Sequence, residues 1–204
     1  MGLKSSFRSD LKKEQRLSLL LDGYYAAHLK HYTFERVVDK KSQLQGIDVR
    51  FTDRETKKVF NIDEKAQLDY LNEDLPTFAF EISYKKEGRL KEGWLFDTTK
   101  ETDFYALITG IFTDEPHHHA YCKITFVNRE KLIDFLNDRG LTHNLLLNQL
   151  TTLNESHGKI AIEQLDEKRE GYLFHSKSNK AEQPLNLVLK LDWLIENQIA
   201  KRFV

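Results

Sequence analysis

The chain has 204 residues, 40% of them hydrophobic and 31% charged, with 13 Phe and 8 Tyr, enough apolar material for one well-cored domain. No stretch approaches the ~18 consecutive apolar residues of a membrane span, and the charged opening Met1 to Arg16 lacks an apolar signal core, so neither a membrane role nor export is expected. Cys122 is the single cysteine, which rules out an internal disulfide and fits a cytoplasmic protein; the net charge of −1 gives no overall field toward polyanions, so any nucleic acid must be met by a local basic patch.

In chain order, Met1-Gly2-Leu3-Lys4-Ser5-Ser6 fits the short myristoylation pattern. Residues 10–30 then predict an amphipathic helix, because Leu17, Leu21, Tyr25 and Leu29 recur at four-residue steps with Leu20 and Tyr24 beside them. Residues 32–38 predict a first strand. A hairpin follows over 47–52 and 58–66, with Ile47, Val49 and Phe51 facing Val59, Phe60 and Ile62 across the polar turn Thr52 to Lys58. Thr77 to Tyr84 reads as a strand, Lys85 to Lys91 as a turn around Gly88, and Gly93 to Phe96 as the returning segment. Two more strands are expected over Thr102–Ile108 and Tyr121–Val127. Asn128 should cap a helix over Arg129–Asp138 that Gly140 ends, and Thr142 to Leu153 predicts another. Short strands at 160–162, 172–174 and 187–189 and a closing helix over Leu191–Phe203 complete a mixed α/β (α+β) class of about six to eight strands and four helices. No repeat or linker divides residues 1–204, so a single domain is expected.

The hairpin carries the chemistry. With its tip at Arg54 to Lys57, Asp48 lies directly opposite Asp63, and opposed residues share a sheet face at about 4.5–5.5 Å between Cβ atoms. Lys65 is two residues on and points the same way. Two facing carboxylates repel unless a cation lies between them, and oxygen ligands of this kind select Mg²⁺ or Mn²⁺ over zinc.

A helix, an acid-bearing strand, a tight turn and a strand ending Asp63-Glu64-Lys65 resemble the PD-(D/E)XK nuclease superfamily, which has a restriction-endonuclease-like core. The resemblance spans roughly residues 10–85, and Ile47 stands where the family's eponymous proline would be. It implies a central mixed sheet with flanking helices, a nuclease-like core over 7–127, and an elaboration of helices and strands over 128–204 whose role stays open. It also implies DNA phosphodiester hydrolysis by a Mg²⁺-activated water. Asp48, Asp63 and the backbone carbonyl of Glu64 would hold the metal, and Lys65 would orient the nucleophile. DNA is the expected partner, and a homodimer would cut both strands.

Further candidates follow from position. Gln67, two beyond Lys65, would assist catalysis, and Glu81, mid-strand among apolar residues, would be a further metal ligand. Glu14 and Glu35 are more remote acids. Lys85, Lys86, Arg89 and Lys91 form a basic turn that would clamp a phosphate backbone, joined by Lys40 and Lys41 just upstream of Asp48. Tyr84 and Trp94, which bracket that turn, are core packing or base-stacking residues. His117, His118 and His119 read as a loop, since neighbours on extended chain point to opposite faces. Asp97, Thr102 and Asp103 form a polar cluster without a signature. The alternatives are a non-catalytic nucleic-acid or protein interaction module, and an enzyme of unrelated chemistry whose hairpin carboxylates are incidental.

Overall fold

Helix α1 (Phe7–His28) buries Leu17, Leu21 and Tyr25, one face at the four-residue spacing of its sequence. Each such side chain contributes about 1.5–3 kcal/mol when removed from water. The computed structural model describes residues 7–115, 118–152, 157–177 and 182–204. After α1 come β1 (Tyr32–Arg36), α2 (Lys40–Leu44), β2 (Val49–Asp53), β3 (Val59–Ala66), β4 (Thr77–Lys86) and β5 (Arg89–Glu92). Then follow β6 (Phe104–Glu115), β7 (His118–Asn128), α3 (Arg129–Asp138), α4 (His143–Thr152), β8 (Gly158–Ile160), β9 (Gly171–His175), β10 (Leu185–Lys190), α5 (Leu191–Glu196) and β11 (Ala200–Arg202).

The class is mixed α+β with two sheets. The first has the order β1-β2-β3-β6-β7-β11, antiparallel except where β3 runs parallel to β6; the second, β5-β4-β10-β9-β8, is antiparallel throughout. One face of the first sheet packs on α1 through Val49, Phe51, Ile62, Ala106 and Ile108. The opposite face presents Tyr105, Leu107 and Val127 to Phe78, Phe80 and Ile82 of the second sheet. Strand β6 is therefore buried on both sides, which is why Tyr105 to Ile108 reads as an unbroken apolar run. No described helix is long and apolar enough to cross a membrane.

Local signals set the elements they were read from. Asn128 accepts the Lys131 N–H at 2.9 Å to cap α3, and Gly140 takes φ +74° just past its end. Among the described residues there are eleven strands, more than the six to eight expected, because β5, β8 and β11 are only three or four residues long and carry no period. The expected closing helix stops at Glu196. Asn197 folds back onto the Trp193 carbonyl (2.8 Å), Gln198 takes φ +58°, and the chain turns into β11 beside β7. The C-terminal third is woven into both sheets, since β10 lies between β4 and β9.

Candidate active site

The turn of Asp53 to Lys58 fixes the hairpin. Asp53 accepts from the backbone of Glu55 and Thr56 (2.9 and 2.7 Å), and Lys57 takes φ +60°. β2 and β3 then pair as Val49↔Ile62, Arg50↔Asn61 and Phe51↔Phe60, the register expected from the sequence. Asp48, one residue before β2, is held by backbone on both sides: its N–H donates to the Ile62 carbonyl and its carbonyl accepts from Val37 (both 2.8 Å). Its Oδ2 accepts the Glu64 N–H at 2.8 Å, which draws the carboxylate onto β3.

Asp63 is buried, with 2% of its surface exposed. Its Oδ1 accepts from Lys65 Nζ at 2.5 Å, and that ammonium lies 5.3 Å from the ring centre of Trp94. Burial pushes the Asp63 carboxyl up to about 6; the neighbouring Asp48 carboxylate adds to the rise, and the Lys65 charge opposes it. Asp48, Asp63 and Lys65 are thus brought together.

A strap from the β5–β6 connection closes the floor. Lys100 Nζ donates to the Leu44 carbonyl (2.6 Å), Glu101 N to Gln45 (2.8 Å) and Thr102 Oγ1 to Gly46 (2.7 Å). Thr102 thus serves the site as a clamp, whereas Asp103 accepts from Asn61 N and Asp97 caps Thr99. Gly46 takes φ +76°, and a Cβ there would fall 2.5 Å from Thr102 Oγ1 and 3.3 Å from Asp63 Oδ2. Gly46→Ala is therefore expected to lower stability by about 1–3 kcal/mol, read as a drop in melting temperature of several degrees; an unchanged value would contradict this packing.

The opposite side of β3 holds a group the sequence reading missed. Glu64 Oε1 accepts from Tyr25 Oη at 2.8 Å, and Oε2 from Arg36 Nη1 at 2.8 Å. Arg36 also donates to Asp22 (2.8 Å) and to the Ser18 carbonyl (3.1 Å). Burial raises the Glu64 pKa, against the pull of Arg36. The network ties α1, β1 and β3 together through the residue whose N–H holds Asp48. Alternation alone put Glu64 on the far face; its partners come from 28 and 39 positions away and left no local signal.

Other expected residues lie elsewhere. Glu81 is on β4 in the second sheet. Its neighbours Phe80 and Ile82 fill the space between sheets, with Phe80 packed 5.6 Å from Trp94, so alternation turns Glu81 to the other face. Among the described residues no group of three or more His, Cys, Asp or Glu side chains could hold a metal ion. Alternation thus places Glu81 on the face of β4 away from Phe80 and Ile82. Gln67 follows the end of β3, which stops at Ala66, and its Nε2 donates to the Thr77 carbonyl at 2.8 Å. It fastens the entry to β4 rather than reaching the acids. Glu35 is exposed across from Arg50, and the Glu14 side chain is outside the described residues. His117 is also outside them; His119 is buried on β7.

The basic segment is a hairpin. Glu87 (φ +53°) and Gly88 (φ +73°) form its turn, pairing Lys86 with Arg89 and Tyr84 with Lys91. Lys86, Arg89 and Lys91 are exposed, while Lys85 is half-buried. Its return leads through Gly93 to Trp94, which packs 4.8 Å from Tyr105 and beneath Lys65. Trp94 is thus a packing residue shared by hairpin and site. Lys40 and Lys41 are exposed on α2, which runs into the Gly46 turn.

Two facing carboxylates and the Glu64 carbonyl suit a hard dication that keeps most of its waters, the usual manner of Mg²⁺. Comparison with family models, curated proteins and solved structures finds no match.

Proposed function

We propose that the chain is a metal-dependent nuclease of the PD-(D/E)XK type that hydrolyses DNA phosphodiester bonds. The observation that carries this reading is Asp63, buried between Asp48 and Lys65 with its carboxyl raised to about 6. An apolar setting, a like charge and a single ammonium make this an unfavourable place for an acid that serves packing alone. The helix, first strands, tight turn and Asp-x-Lys strand follow one another as they would in a restriction-endonuclease-like core.

A bound Mg²⁺ or Mn²⁺ would supply a polarised phosphoryl oxygen and a water of lowered pKa. The chain's own groups do the rest. Asp48 and Asp63 would present two oxygens to that metal, and the Glu64 peptide is fixed beside them by its N–H on Asp48. Lys65 holds its ammonium beside Asp63, ready to orient the attacking water and to stabilise negative charge on the phosphoryl oxygens. The β4–β5 hairpin sets Lys86 across from Arg89, a like-charge pair that an anionic backbone would relieve.

Supercoiled plasmid with Mg²⁺ tests the reading. Cleavage is expected from the native chain and a loss of about a hundredfold or more in both Lys65→Ala and Asp48→Ala, with circular dichroism unchanged. DNA binding with no cleavage by the native protein would favour a non-catalytic interaction module instead.

A further inference from the structure

At the far end of α1 from the acids, a groove of about 720 Å³ crosses the first sheet. Its floor is aromatic: Tyr32, Phe60, Phe104, Phe126 and Phe203 line it, each half-buried. The rings meet edge-on, Phe60 to Phe104 at 5.7 Å and 73°, and Phe126 to Phe203 at 5.2 Å and 64°. All six strands contribute to the lining, and at about 4.8 Å between strands the trough runs about 24 Å. That length takes a run of several nucleotides at 3.4 Å or more each.

The charge is one-sided. Among the described residues no Asp or Glu lines the groove, although the chain has 32 of them. Lys131 and Lys201 stand exposed at the groove and Lys58 lies over the Phe60 ring at 4.8 Å, whereas Arg202, next to Lys201 on β11, turns to the sheet's opposite face. Neither Lys131 nor Lys201 forms an ion pair among the described residues; Arg202 reaches Asp192 at 3.5 Å, whose side chain is 80% exposed. Asn128 and Gln198 add amide groups at the edge.

We infer that this groove binds single-stranded nucleic acid, with bases against the aromatic floor and phosphates along Lys131, Lys201 and Lys58. Every base offers a π-face, so an aromatic floor accepts any sequence. Cations spaced along a trough match a repeating phosphate chain, whereas a fatty acid or other amphiphile with one charged head would need only one of them. The inference uses none of the acidic site's residues and goes beyond the cleavage reaction.

The test is fluorescence anisotropy of a labelled twelve-nucleotide oligo(dT) with the full chain in EDTA, where metal-dependent cutting is silent. Lys131→Glu/Lys201→Glu is expected to raise Kd about tenfold or more and to flatten the salt dependence. Phe60→Leu keeps an apolar side chain but removes a stacking face, and should raise Kd about threefold to tenfold. Absence of oligonucleotide binding, Kd values within about twofold of native in both variants, or displacement of the oligonucleotide by a fatty acid that binds more tightly would each overturn the proposal. Because the measurement is made without metal, loss of plasmid cleavage in the acidic-site variants bears on the other site alone.

Discussion

Asp63→Asn is expected to abolish Mg²⁺-dependent DNA cleavage, by about a thousandfold or more, while making the protein more stable. The loss follows from removing one of two carboxylates that would face the metal, a contribution of several kcal/mol to charge stabilisation. The gain follows from burial. The Asp63 carboxyl is raised from 3.8 to about 6, so above pH 6 the folded chain holds a charge that water would hold more cheaply. At 1.36 kcal/mol per pKa unit, the ionised side chain destabilises the metal-free fold by about 3 kcal/mol at neutral pH. Between pH 4 and 6 the folded state binds more protons than the unfolded state, so this contribution to stability falls as pH rises through that window and is flat above it. Asparagine keeps an oxygen for Lys65 and has no charge to bury.

Thermal melts of native and Asp63→Asn protein from pH 4 to 8 in EDTA should therefore diverge. At pH 7.5 the variant should melt about 5 °C or more above native, given 2–4 °C per kcal/mol for a chain of this size, and the gap should close toward pH 4. Added Mg²⁺ should narrow it by stabilising only the native protein. A variant that melts at or below native at pH 7.5, with a parallel pH profile, would show that Asp63 is an ordinary paired acid.

Arg36→Met should produce the largest loss of stability, about 3–5 kcal/mol. The pair it breaks joins the Arg36 guanidinium to a Glu64 carboxylate whose side chain is only 13% exposed. Removing one member of such a pair leaves the other charged and without its counter-ion. The same change releases Asp22 and the Ser18 carbonyl, so α1 loses its polar ties to β1 and keeps the Tyr25 hydroxyl on Glu64. Glu64→Gln placed in the Arg36→Met background should recover part of the loss, because an amide needs no counter-ion and can still accept from Tyr25. Urea titrations of the two single variants and the double variant measure the coupling; strictly additive losses would show that Arg36 and Glu64 do not act as a pair. Cleavage in the double variant should stay about tenfold to a hundredfold below native, since the Glu64 peptide that holds Asp48 is no longer anchored from behind.

Much of the hairpin was legible because its signals are local. Turn length, the Asp53 side chain folding onto its own turn, and alternation along β2 and β3 are enough to set Asp48 across from Asp63. The same holds for α3, whose cap and stop lie within three residues of its ends. Glu81 failed for the opposite reason. An acid between Phe80 and Ile82 announces a strand face, but which sheet that strand joins depends on β10, more than a hundred positions later. Gln67 failed on one residue of strand length, since β3 ends at Ala66 and the amide turns to the Thr77 carbonyl instead.

By itself, then, the chain determined its longer elements, the register of one hairpin and the meeting of two acids with one lysine, all settled by interactions within about twenty residues. Only the tertiary structure decided that β4 leaves the acidic sheet, that Arg36 neutralises Glu64 behind the site, and that aromatic residues from five strands and Phe203 line one cation-edged groove. Those features depend on which distant surfaces exclude water together, and burial between remote segments leaves no periodic trace in either one.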